Sequence, residues 1–203
     1  MRRALLAGVV LVLLTACSTG TEDPGLQPSR SSVDVDTPAL RAQKSTAGIE
    51  PCRPAQGKPP AKDALPDAVL ACLGGGPSVD LSRLRGPLVI NLFAQWCGPC
   101  RAELPFYQEL HRKGRGTVKV LGIDYLDTQP AAALGLVRDT GVTFPLVADP
   151  DGTLRNEFKI RGLPGVVFVD ADGRVVAVEF RVVRSYAELR TLVQQRLDVR
   201  VPR

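Results

Sequence analysis

Cys97-Gly98-Pro99-Cys100 is the stretch whose residue types and spacing could do chemistry. Two residues between cysteines let both sulfurs meet across one helical turn, so the pair can cycle between dithiol and disulfide. The motif follows an apolar run and opens a helical pattern, which sets the first sulfur over unpaired backbone N–H groups. Those donors and the helix dipole favour thiolate, pulling Cys97 below the ~8.5 of a free cysteine. Cys97 is then expected to attack a partner disulfide, and the deeper Cys100 to resolve the mixed disulfide. Pro99 stiffens the turn and offers no competing N–H. The plainer alternative is a static disulfide or half of a metal site.

The remaining cysteines depend on the N-terminus. Arg2 and Arg3 precede an apolar run over residues 4–14, too short to span a bilayer comfortably. The run ends in Leu14-Thr15-Ala16-Cys17, and small residues before a cysteine resemble a bacterial lipobox. The expectation is a signal peptide over 1–17 with lipidation at Cys17, which would hold the protein on the extracytoplasmic face of the cell membrane. Each buried acyl methylene would contribute roughly 0.8 kcal/mol to that anchor. Four cysteines are then left in a compartment that permits disulfides. Cys52 and Cys72 are expected to form a structural disulfide closing a loop of about 20 residues, worth roughly 3 kcal/mol. Zinc is the rival, but it wants a second close-spaced pair, and the only histidine, His111, reads as a lone helix-edge residue. Neither metal nor cofactor is expected.

Several elements must position these groups. Residues 18–50 are rich in Ser, Thr, Pro, Asp and Gly without a sustained hydrophobic period, and read as a flexible tether. The domain is expected over 51–200. A short strand over 68–73 stops at Gly74-Gly75-Gly76, and 80–86 form a turn. Residues 87–94 are almost continuously apolar, as in a strand buried on both faces. The helix after the cysteines runs to about Lys113 and contains Pro105, expected to kink it. A strand over 117–125, a helix over 130–140 and a strand over 144–148 follow, then a turn and a short helix ending at Lys159. Strands over 165–170 and 174–180 form a hairpin, and a helix over 185–199 opens on the capping box Ser185/Glu188. This order predicts an α/β fold, a central mixed sheet flanked by helices on both faces.

The stretches LVINLFAQWCGPCRAELP, FPLVADPDG and GLPGVVFVDADGRVV resemble the membrane-anchored, thioredoxin-like TlpA/ResA/DsbE group. The resemblance covers roughly residues 68–197 and implies a thioredoxin-like fold with an extra central β-α insertion. It implies thiol–disulfide oxidoreductase activity on protein thiols and disulfides, with a membrane redox partner. It also implies that Pro164 is a cis-proline facing the redox pair, with Leu163 offering a backbone edge to an extended substrate. Glu103, three residues past Cys100, would accept and return the proton of Cys100. The bland alternative is a solvated Glu103 paired with Arg101 or Arg112. Asn91 stands where thioredoxins carry a buried Asp. Trp96 would either flank the substrate surface or simply pack. Gly165 departs from the Thr many relatives place after the proline, and Cys52 and Cys72 lie outside the shared motif.

Gly98-Pro99 resembles reducing thioredoxins, which implies a reductase with cytochrome c maturation as one setting, and a disulfide-forming oxidant is the rival. A copper chaperone or holdase is a third reading, for which His111 is poorly placed. A peroxidase needs Thr or Ser where Ala94 stands. The charge of +5 is modest and scattered over a chain that is 44% hydrophobic, so no nucleic acid is expected as partner.

Overall fold

The computed structural model describes residues 32–60 and 62–203. The expected signal peptide over 1–17, with its lipidation site at Cys17, lies outside the described residues. Seven strands form one mixed sheet in the order β2-β1-β5-β4-β3-β6-β7. They are β1 (Val69–Cys72), β2 (Val79–Asp80), β3 (Leu88–Phe93), β4 (Lys119–Tyr125), β5 (Leu146–Asp149), β6 (Gly165–Val169) and β7 (Val175–Glu179). The helices are α1 (Pro38–Thr46), α2 (Gly98–Lys113), α3 (Pro130–Asp139) and α4 (Tyr186–Leu197). β3, β4 and β5 run parallel through α2 and α3, and β1, β6 and β7 pair antiparallel outside them.

β3 is buried at every position, as its unbroken apolar sequence requires at the centre of a two-faced sheet. Its alternate residues feed two cores. Val89 and Phe93 meet Leu104, Tyr107 and Leu110 of α2, together with buried residues from α1, α3 and α4. Leu88, Ile90 and Leu92 meet Leu65, Leu81, Leu154 and Phe158 on the other face. All four helices thus serve one core, on one face of the sheet, where helices on both faces were expected. The opposite face is closed by a 3-10 turn, Leu81–Arg83, and by successive turns where a short helix ending at Lys159 was expected. The Asp149 carboxylate explains that difference. It accepts from Thr153 N (2.8 Å), Thr153 Oγ1 (2.8 Å) and Leu154 N (3.0 Å), which holds the chain in a capped turn.

The tether expectation over 18–50 needs correction. Thr37 Oγ1 caps α1, Pro38 opens it, and Leu40 is buried with Val35 and Ile49. Only two of the nine helical residues are buried, so composition hid a helix that packs by one narrow stripe. Order begins well before Pro51. Among the described residues no helix is long and apolar enough to cross a membrane.

Candidate active site

The buried strand β3 delivers the chain to a turn, and α2 begins directly after Cys97. Cys97 is the N-cap of α2, with extended backbone (φ −86°, ψ 98°), and its sulfur accepts from Cys100 N at 3.2 Å. Pro99 sits in the first turn, where its missing N–H costs nothing. The two sulfurs are bonded. Cys97 keeps 4% of its surface exposed and Cys100 none, so only Cys97 offers an outside partner a sulfur. Pro105 lies inside α2 and withdraws the N–H that would have met the Arg101 carbonyl.

Glu103 is one turn along α2 from Cys100 and fully buried. Its Oε1 accepts from Asn91 Nδ2 (3.0 Å) on β3, and its Oε2 accepts from Val183 N (3.0 Å). Burial pushes its pKa up to about 7; the two hydrogen bonds oppose that, and the Glu188 charge adds to it. The solvated alternative, paired with Arg101 or Arg112, is not what the fold builds. Asn91, at the position of the thioredoxin Asp, is instead the donor that orients Glu103.

The Leu163–Pro164 peptide is cis. Leu163 and Pro164 line a groove of about 960 Å³ whose far wall carries Phe180 and Arg181. Trp96 is 53% exposed, and its Nε1 donates to Leu126 O at 3.2 Å. It is therefore a tethered surface ring rather than semi-buried filling. His111 is more enclosed than a helix-edge residue: its Nε2 lies 3.0 Å from Glu50 Oε1 and its ring meets Phe144 edge-on. Cys52 and Cys72 are joined, with Cα atoms 6.0 Å apart.

One pair escaped the sequence reading. Asp127 Oδ2 accepts from Gln95 N (2.7 Å) and its Oδ1 from Gln129 N (2.9 Å), so this carboxylate ties the end of β4 to the segment just before Trp96. Asp124 is buried nearby without a hydrogen-bond partner for either oxygen. Burial, then the Asp127 charge, raises its pKa well above the carboxylate range. Two carboxylates three residues apart at the C-terminal end of a parallel strand, where α/β folds place sites, were the available signal. Because the folded pKa is raised, the wild type loses stability as pH climbs from about 4 through the folded value. An Asp124→Asn variant should match wild type at pH 4 and melt higher at pH 8. A lower melting temperature at pH 8 would show that the ionised acid is needed.

The AhpC/TSA family model matches residues 61–178. The chain belongs to that family. Over 126 residues it is 34% identical to the thiol:disulfide interchange protein DsbE homolog of Paracoccus denitrificans, covering 56% of this chain and 68% of the relative. Over 119 residues it is 30% identical to the thiol-disulfide oxidoreductase ResA of Oceanobacillus iheyensis, covering 56% and 61%. The structure of MTB DsbF in its mixed oxidized and reduced forms superposes with a TM-score of 0.58 at 28% identity, covering 68% of this chain and 98% of that one. Its homologues are thus thiol–disulfide oxidoreductases of the DsbE and ResA type, as the sequence resemblance implied. The fold is thioredoxin-like, and the chain spans 61–68% of the two curated relatives' length.

Proposed function

We propose that this AhpC/TSA family member is a thiol–disulfide oxidoreductase that reduces protein disulfides outside the cytoplasm, held at the membrane through Cys17. The observation that carries this reading is the Cys97–Cys100 disulfide at the N-cap of α2, with buried Glu103 one turn beyond it. Cys97 attacks the substrate disulfide, and the Cys100 N–H supports the charge on its sulfur. Glu103 takes the proton of Cys100 as that sulfur closes on Cys97, and returns it when the pair is reduced again by a membrane redox partner.

The reductive direction rests on charge. A strong oxidant stabilises its reduced form. Here a buried carboxylate lies one turn along the same helix from the buried sulfur, so the reduced pair gains no stabilisation from a Cys100 thiolate. The Leu163-Pro164 edge and the groove beside it suit an extended substrate segment. Disulfides of apocytochromes, opened to thiols, are one fitting substrate class. The lipobox-like Leu14-Thr15-Ala16-Cys17 and the paired use of the other four cysteines support the location.

A Cys100→Ser variant expressed with its own N-terminus tests the reading. It should accumulate mixed disulfides on Cys97, and the trapped proteins should be ones whose disulfides are destined for reduction. Trapped chains caught while acquiring disulfides would reverse the direction. No trapped protein, together with no insulin reduction by the wild type, would remove the oxidoreductase assignment.

A further inference from the structure

The second disulfide has surroundings that a purely structural bridge does not need. Lys44 of α1 is 7% exposed, and its Nζ lies 2.9 Å from Cys72 Sγ and 2.7 Å from Gly75 O. No carboxylate pairs with it among the described residues; Asp36, the nearest acid in its field, is bound to Arg41. A buried ammonium facing a neutral sulfur lacks its counter-charge, whereas facing a thiolate it has one. Across the bridge, Cys52 Sγ lies 3.1 Å from Leu146 O. A disulfide sulfur has no proton to donate there, but a Cys52 thiol has one. Each sulfur is therefore set beside the group its reduced form would use: Cys72 as thiolate, Cys52 as thiol.

Access is equally one-sided. Cys52, and not Cys72, lines a cavity of about 670 Å³, large enough for a small organic molecule. Arg53, Arg83, Arg85, Arg115 and Lys119 face that cavity against one carboxylate, Glu50. Arg83 is paired with Asp80 and Arg115 with Glu50; Arg53, Arg85 and Lys119 have no ion pair among the described residues. Cys52 and Cys72 belong to the core on one face of the sheet and Cys97 and Cys100 to the core on the other. From β1 to β3 is three strand spacings, roughly 14 Å, so the pairs cannot exchange directly.

We propose that Cys52–Cys72 is a second thiol–disulfide exchange site, opened in the folded protein by small anionic thiols that enter the cavity beside Cys52. The thiolate of the first molecule bonds to Cys52 Sγ as the Cys52–Cys72 bond breaks, and Cys72 leaves as a thiolate against Lys44. The thiolate of a second molecule attacks the sulfur that the first molecule supplied, the bond to Cys52 Sγ breaks, and Cys52 takes up a proton and hydrogen-bonds Leu146 O as a thiol. Two small thiols become one small disulfide, the protein gains the two electrons, and one proton goes to solvent. This site shares its chemistry with the proposed function but not its residues.

The test follows both pairs separately. The oxidised full chain is incubated with glutathione (anionic), 2-mercaptoethanol (neutral) or cysteamine (cationic) at matched thiolate concentration. Alkylation and peptide mass mapping then read Cys52/Cys72 apart from Cys97/Cys100, so failure at one pair is distinguishable from failure at the other. Opening of Cys52–Cys72 should be first order in glutathione, at least about tenfold faster than with cysteamine, and slowed by salt. Lys44→Met should slow it by about tenfold or more, and Lys44→Arg should restore most of the rate. Should Lys44→Met fail to fold, Arg53→Ala with Lys119→Ala decides, by losing or keeping the preference for glutathione. A rate independent of thiol concentration would mean that the bridge opens only by unfolding and would overturn the proposal. So would equal rates with the three thiols, or no response to any of these variants.

Discussion

Replacing Cys97 by alanine is expected to lower disulfide exchange by about a thousandfold or more, while Cys100→Ala keeps a single attacking thiol. The asymmetry follows from position. Cys97 ends the loop before α2 and holds the only exposed sulfur edge of the pair, whereas Cys100 is sealed inside the helix. Negative charge on Cys97 Sγ is met by the Cys100 N–H at 3.2 Å and by the open N-terminus of α2. Among the described residues no hydrogen bond is made to Cys100 Sγ from outside the helix. Single-turnover reduction of a peptide disulfide, with the adduct followed by mass, checks this. Cys97→Ala should form no adduct, and Cys100→Ala should form one that persists. Equal behaviour of the two variants would contradict the assignment of nucleophile and resolver.

Glu103→Gln should have the next largest effect, on the order of a hundredfold on the resolving step, and should change its pH dependence. With its pKa at about 7 in the disulfide form, Glu103 is mostly neutral below that pH and mostly a base above it. Rates limited by proton removal from Cys100 should therefore rise through pH 7 in the wild type and lose that inflection in the variant. A merely structural Glu103 would leave the inflection in place. Glutamine keeps the shape of the site: its oxygen can take the Val183 N–H, and a turned Asn91 amide can offer its oxygen to the glutamine N–H in place of the bond that Asn91 Nδ2 makes in the wild type. Stability should move the opposite way to activity. A carboxyl raised from 4.5 to about 7 stabilises the fold fully below about pH 4.5, and that contribution is lost as pH rises through 7. The shift amounts to on the order of 3 kcal/mol, so Glu103→Gln should melt higher than wild type at pH 8.

The legible parts of this protein were those where local sequence and burial agree. β3 announces itself because a central strand must be apolar on both faces, and Cys97-Gly98-Pro99-Cys100 because its residues both cap α2 and do the chemistry. Glu103 was legible only as a position on a helix; its burial and its bond to Asn91 depend on how α2 lies across β3. α1 was hidden because a helix that buries two residues leaves almost no hydrophobic period. Lys44 beside Cys72 spans 28 residues, and no local pattern records it. The turns up to Lys159 were misread because the Asp149 carboxylate, not the hydrophobic pattern, decides their backbone.

The two ends of the sheet have a consequence for life at high local concentration. Edge strands are templates for a neighbour's backbone, and long flat ones drive aggregation. At one end β2 is only two residues long and finishes in Asp80, whose side chain is held by Ser82 and Arg83. At the other end the start of β7 is already occupied: Val175 N donates to Asp63 O at 2.7 Å, and Ala64 bridges Arg174. The far end of β7 carries Glu179, clasped by Arg181 and Arg196. Neither border leaves a long, uncharged strip of backbone, so molecules crowded on one surface can meet other chains without adding strands to one another.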